Sequence, residues 1–413
     1  MAGTGVALSG RTGTPARPRF LQGNDLRSNH DVFRHESDVG SPNLGQFPQC
    51  GIGPAPNDAR HEGGLRSCMN RFPHSRSLEH PLRDRVVVIT GASSGIGRAT
   101  ARAFAEAGAR VVLAARNQEA LNDVCGECTR RGAHALVVPT DVTDAGGMSE
   151  LARKAVDAFG RIDVWINNAG VGLFGSFTHA GIDVHRRVVE TNLFGAMNGA
   201  AAVLPYFLEQ HRGVLITNIS LGGFSPVPFA AAYTAGKFGL RGFMASLRQE
   251  LADERDIRVC SIFPAVIDTP GFQHGANVSD AELSPPPPIF PPEKIADAMV
   301  DLALRPRDEL AVGWTSHLAK LGYSLAPLTT ERLTGFVFRQ YLKRAARAPR
   351  KQGNLFEPSN GPMAPRGGWL ERSSTTATVG KLAVAGLIGG GGALLIARML
   401  GGNGTSDRMR GIH

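Results

Sequence analysis

Tyr233 and Lys237 stand four residues apart in a helix-forming stretch, so both side chains leave one helix face a turn apart. A phenol beside an ammonium is an acid–base pair. Hydride transfer to a carbonyl leaves an alkoxide that needs a proton, and Tyr233 supplies it efficiently only if its pKa falls well below the ordinary value of about 10. The Lys237 ammonium, together with an oxidised nicotinamide, would favour the tyrosinate and lower that pKa. Ser220, thirteen residues upstream, closes an apolar run and can donate a hydrogen bond to the carbonyl oxygen. Taken alone, a Tyr-x-x-x-Lys pair on a helix is usually a solvated face. The Ser220 spacing and a second motif reverse that weighting. Thr90-Gly-Ala-Ser-Ser-Gly-Ile-Gly97 joins an apolar strand to a helix. Gly91, Gly95 and Gly97 permit a tight turn and close backbone approach to a pyrophosphate, which the free N–H groups and dipole of the helix N-terminus attract.

The elements that must hold these residues are legible from Arg85 onward. Strands are predicted at 86–90, 110–115, 135–139, 162–166, 214–219, 257–263 and 309–313, separated by helices at 98–107, 117–131, 147–159, 182–210, 231–253 and 292–304. Strands alternating with helices of ten or more residues mean βαβ units and a parallel sheet. Their near-continuous apolar runs require helices on both faces. The fold class is therefore α/β, a doubly wound parallel seven-stranded sheet. Residues 264–291 contain Pro285–Pro288 and Pro291–Pro292, too much proline for a helix or central strand, and read as a lid over a ligand crevice.

Asp141-Val142, Asn167-Asn168-Ala169-Gly170 and Asn192 complete an ordered set with the glycine turn, Ser220, Tyr233 and Lys237. Together they resemble the short-chain dehydrogenase/reductase family, in its main single-domain branch, over roughly residues 84–315. The resemblance implies a Rossmann-type sheet and NAD(P)-dependent interconversion of an alcohol and a carbonyl. It implies catalytic roles for Asn192, Ser220, Tyr233 and Lys237, with Lys237 also on the nicotinamide ribose and Asn192 holding a relay water. It places Ser93, Ser94 and Ile96 of the glycine turn, Asn168, Ala169 and Gly170 around the cofactor, Asp141 on the adenine and Val142 beside it. Ile267 and Thr269 match positions near the carboxamide and phosphates, although Pro264-Ala265 departs from the usual Pro-Gly. NAD-specific members end the second strand with an acid that binds the ribose 2′-hydroxyl. Here Ala115 and then Arg116 stand there, which favours NADP over NAD. The resemblance also implies a homodimer paired through the long helices near 182–210 and 231–253.

The body from 81 to 340 is almost neutral, whereas 341–413 carry eleven basic residues against three acidic ones. A nucleic-acid-binding core would carry its own basic face, so nucleic acid is not an expected partner. Five scattered cysteines exclude a disulfide scaffold, and Cys125-Gly-Glu-Cys128 reads as incidental thiols on a helix. His179 and His185 show no metal-ligand clustering, so no metal is expected. The organisation is a disordered leader over 1–80, the catalytic domain over 81–315 and a helical extension over 316–346 whose apolar stripe packs on the body. A linker over 347–378, an apolar segment over 379–400 and a tail follow. Met69 is an alternative start. Leu382–Ala397 is sixteen uncharged residues between Lys381 and Arg398, short of the about 20 of a full span, and is weighed equally as membrane attachment and as a docked tail. The basic excess before it would keep the enzyme cytoplasmic. The expected function is NADP-dependent interconversion of a hydrophobic ketone or aldehyde and its alcohol. The alternatives are a 3-oxoacyl thioester reductase and a non-catalytic NADP-sensing scaffold.

Overall fold

Valine, isoleucine and leucine runs of four to eight residues, too short for independent helices, pair side by side in the computed structural model, which describes residues 80–359 and 361–376. In chain order the elements begin with β1 (Val86–Thr90), α1 (Gly95–Glu106), β2 (Arg110–Ala115), α2 (Gln118–Arg130), β3 (Ala135–Pro139) and α3 (Ala145–Phe159). Next come β4 (Val164–Asn167), a two-residue β5 (Leu173–Phe174), α4 (Ile182–Val189), α5 (Gly195–Gln210), β6 (Gly213–Asn218) and α6 (Ala231–Glu250). The series ends with β7 (Ile257–Pro264), α7 (Gly271–His274), β8 (Ala276–Asn277), α8 (Glu293–Leu304), β9 (Glu309–Val312), α9 (Trp314–Leu325), α10 (Pro327–Arg344) and α11 (Trp369–Thr376).

The main sheet is the expected parallel seven-stranded one, in the order β3-β2-β1-β4-β6-β7-β9. Strand order reverses between β1 and β4, and such a switch point opens a crevice at the C-terminal ends of the strands. One core cluster packs α1, α2 and α8 against one face. The other packs α3, α5 and α6 against the opposite face. Local chemistry starts the helices: Asn117 accepts from the Ala120 amide to cap α2, and Asp144 accepts from Gly146 to cap α3. Buried Asp163 fastens β4 to β1 by accepting from the Val86 amide at 3.0 Å and from Arg85 at 2.8 Å.

Three expectations change. The single helix over 182–210 is interrupted by a π-turn at Glu190–Phe194, which the apolar periodicity does not reveal because both halves keep a helical pattern. Within 264–291 the chain forms α7 and a second small sheet, β5 with β8, while Pro286, Pro287 and Pro288 line the crevice as a lid would. The extension is two helices broken at Ala326-Pro327. Its apolar stripe is not sunk in the core: α10 has no fully buried residue, and Leu321, Leu325, Leu328 and Phe336 are exposed. Cys125 and Cys128 are buried in α2, and burial pushes the Cys128 thiol up to about 12, as befits an inert core residue. The leader and Leu382–Ala397 lie outside the described residues. Among the described residues no helix is long and apolar enough to cross a membrane.

Candidate active site

The crevice is one continuous cavity of about 830 Å³ along the strand ends. Its floor is the turn from β1 to α1. Gly91 adopts φ +65°, and a Cβ there would lie 2.8 Å from the Ala169 Cα. A Cβ at Gly97 would lie 2.1 Å from the Gly91 carbonyl oxygen. The turn is therefore built around the absence of side chains, which leaves its backbone open to an anionic ligand. Asn168 closes it from behind, donating from Nδ2 to the Thr90 carbonyl at 3.0 Å, while Thr90 Oγ accepts from the amides of Asn168 and Ala169. Asn218 Nδ2 in turn donates to Asn168 Oδ1 at 2.9 Å, tying this segment to the end of β6. Asn167 points the other way, into the core, where it accepts from Trp165 Nε1 and donates to the Ala196 carbonyl.

Ser220 follows β6 with φ +110°, a strained value for a residue with a Cβ. Its hydroxyl accepts from the Gly222 amide and shares a hydrogen bond with Tyr233. Tyr233 and Lys237 leave α6 toward the same spot, with Lys237 Nζ 5.7 Å from the Tyr233 ring centre. Lys237 is buried and donates to the Asn218 carbonyl at 3.1 Å. Desolvation lowers its pKa to about 8. The tyrosine differs from the sequence expectation of a lowered pKa. Burial pushes its hydroxyl up, and the bond with Ser220 recovers only part of that. In the chain by itself Tyr233 is thus a neutral phenol at neutral pH, the form that can give up a proton.

The π-turn explains Asn192. The extra residue per turn aims its amide inward, where Oδ1 accepts from the Val171 amide at 3.0 Å and Nδ2 donates to the Val171 carbonyl at 2.8 Å. Every residue expected in the catalytic set or around the cofactor lines the one cavity, Ser93, Ser94, Ile96, Val142, Gly170, Ile267 and Thr269 with the groups already described, whereas Asn167 of the same motif does not. Asp141 stands at the far end. Arg187 Nη2 donates to it at 2.6 Å and Thr143 bonds it by amide and hydroxyl, holding its carboxyl below the usual range against the opposing effect of burial. Buried His185 stacks on Phe177 and its Nε2 bonds the Phe177 carbonyl, a packing role.

Two walls were missed. The cavity that Tyr233 lines is also lined by Leu318, Leu321 and Leu325 of α9 and Leu333 and Phe338 of α10. The stripe was visible, but the surface it covers was not. Residues 351–359 and 361–369, expected as a linker, fold back along the mouth of the cleft. Leu355 is fully buried and Trp369 nearly so. Leu355, Phe356, Met363 and Trp369 are the large apolar residues of that otherwise polar, proline-rich stretch, and they were its signal.

The family profile described as short chain dehydrogenase matches residues 85–277. YxnA of Bacillus subtilis, described as an uncharacterized oxidoreductase, is 35% identical over 321 residues, 74% of this chain and 90% of that protein. The chain belongs to the short-chain dehydrogenase/reductase family. It is an oxidoreductase of that family, as the ordered motifs implied. Dehydrogenase/reductase SDR family member 7B of Rattus norvegicus is 37% identical over 212 residues, 50% of this chain and 65% of that protein. Among solved structures, levodione reductase matches with a TM-score of 0.50 and 26% identity, over 57% of this chain and 98% of that one.

Proposed function

We propose that the protein interconverts a hydrophobic ketone or aldehyde and its alcohol with NADP as the hydride carrier. The observation that carries this is the convergence of Ser220, Tyr233 and Lys237 on a cavity that leucine and phenylalanine of α9 and α10 also line. The glycine turn fits a dinucleotide pyrophosphate, because it brings the amides that open α1 to the cavity with no side chain on Gly91, Gly95 or Gly97, and a Cβ at Gly97 would strike the turn's own Gly91 carbonyl. Gly91, Ile96, Asn168, Lys237, Ile267 and Thr269 would hold the cofactor, which supplies hydride chemistry when bound. Ser220 orients the substrate oxygen by donating to it. Tyr233 hands its phenolic proton to the oxygen that becomes the alcohol, and Lys237 stabilises the tyrosinate left behind. Asn192 braces the backbone at Val171 and would offer a seat for a relay water. An apolar wall binds alkyl or aromatic substrate surface at about 25 cal/mol per Å² removed from water. NADP is preferred because β2 ends at Ala115-Arg116, with a cation where NAD-specific relatives carry an acid. The test is NADPH and NADH oxidation against a panel of carbonyls of increasing apolar length. Turnover should rise with length and be faster with NADPH. A flat response to length, or no turnover with either cofactor, refutes this reading.

A further inference from the structure

The segment that folds back over the cleft occupies donors that a dinucleotide needs. Arg116 Nη1 donates to the carbonyls of Leu355 at 3.2 Å and Phe356 at 2.9 Å, and its Nη2 donates to that of Asn354. The Gly95 amide, at the first turn of α1, donates to the Ala364 carbonyl at 3.1 Å. Ser94, at the cap position of that helix, makes no side-chain cap. Arg98, held by Glu127 at 2.7 Å, donates to the Met363 carbonyl at 2.7 Å. The segment is anchored on both sides of these contacts. Leu355 is buried in a small apolar cluster with Val171 and Val188. Asp268 accepts from the amides of Gly367 and Trp369, and Trp369 Nε1 donates to the Thr269 carbonyl.

The chemistry of these contacts is selective. A ribose 2′-phosphate needs guanidinium N–H groups, and three of those at Arg116 already face carbonyl oxygens. The same oxygens present negative dipole ends to an incoming dianion, and Glu357 adds a carboxylate whose charge acts on Arg116. A 2′-hydroxyl is a donor and meets no such repulsion. We propose that the strap formed by 351–359 and 361–369 is a cofactor-selecting gate: closed, it sequesters Arg116 and disfavours a 2′-phosphate, and a 2′-phosphorylated nucleotide binds by taking Arg116 from the strap. This rests on the reading that Arg116 is the 2′-phosphate partner. Apparent affinity for a ligand that needs the open form is reduced by the fraction of chain that is open, so loosening the strap strengthens NADPH more than NADH.

The test titrates full-length protein with NADPH, NADH and 2′,5′-ADP by equilibrium binding. Wild type is compared with Leu355→Ala and Trp369→Ala, which weaken the two anchors from opposite sides. Both variants should bind NADPH and 2′,5′-ADP about tenfold tighter, with NADH tightened by a smaller factor, since NADH gains the freed Gly95 amide but nothing from Arg116. Unchanged or weaker NADPH binding, or equal tightening of NADH, overturns the gate while leaving the cofactor reading intact. Binding of NADH without any binding of 2′,5′-ADP in all three proteins overturns both. A second measurement needs no variant. Trypsin sites at Arg350, Lys351 and Arg366 report on the strap in the wild-type chain, and 2′,5′-ADP should speed their cleavage where 5′-AMP does not. Protection by 2′,5′-ADP would mean that the strap closes over the phosphate, the opposite of the proposal.

Discussion

Lys237→Met should make the protein more stable while destroying its activity. Lys237 is buried, and the fall of its pKa from 10.5 to about 8 measures what the fold gives up to keep an ammonium out of water. That fall corresponds to about 3 kcal/mol. Methionine has similar length and no charge, but it leaves the Asn218 carbonyl without its 3.1 Å donor, at a cost of about 1 kcal/mol. The variant is then about 2 kcal/mol more stable at pH 7, a rise of several degrees in Tm. The sign has a pH signature. The folded-state pKa lies below the unfolded one, so the unfolded chain holds the extra proton between about 8 and 10.5 and wild-type stability gains as pH rises through that window. The penalty is complete below pH 8, and at pH 10 less than about 1 kcal/mol of it remains, so the advantage of methionine disappears there. At pH 10 Lys237 is mostly uncharged, so the raised pKa of Tyr233, set chiefly by burial, is shared by both proteins there. Urea unfolding at pH 7 and pH 10 measures the difference. A variant no more stable than wild type at pH 7, or one whose advantage persists unchanged at pH 10, refutes the argument that burial alone sets the Lys237 pKa.

Tyr233→Phe should lower turnover by about 10²- to 10⁴-fold while NADPH binding stays within about twofold, read by steady-state kinetics and fluorescence titration; most of the activity surviving would remove tyrosine from the proton step. Gly97→Ala puts a methyl 2.1 Å from the Gly91 carbonyl and 2.6 Å from Asn168 Nδ2, so nucleotide Kd should rise about tenfold or more, and wild-type affinity would show that the turn is not the cradle. Ile182, Phe194 and Leu208 are exposed on the α4–α5 stretch, which supports pairing of two protomers there with α6; light scattering should give twice the chain mass, and a monomer would reject it. If Leu382–Ala397 attaches the chain to a membrane, cutting after residue 376 should release it without slowing turnover of a water-soluble carbonyl. Full-length protein found only in the soluble fraction rejects attachment.

The candidate catalytic residues were readable in one dimension because the chemistry proposed for them is tied to short-range geometry. Tyr233 and Lys237 share a helix face at a fixed four-residue spacing, and the glycine turn must sit between a strand and a helix to bind an anion at all. The strands announced themselves through apolar runs, since a sheet covered on both faces excludes polar side chains. The protonation of Tyr233 was not readable, because it depends on how much water neighbouring elements remove. The π-turn at Asn192 escaped for a local reason: one extra residue in a turn leaves the apolar pattern nearly unchanged. The partner of Arg116 was out of reach altogether. It is a set of backbone carbonyls some 240 residues away, and carbonyl oxygens are carried by every residue type, so no side chain at Asn354, Leu355 or Phe356 marks the contact. Only the return of the chain over the cleft, fixed by the burial of Leu355 and Trp369, decides what Arg116 holds.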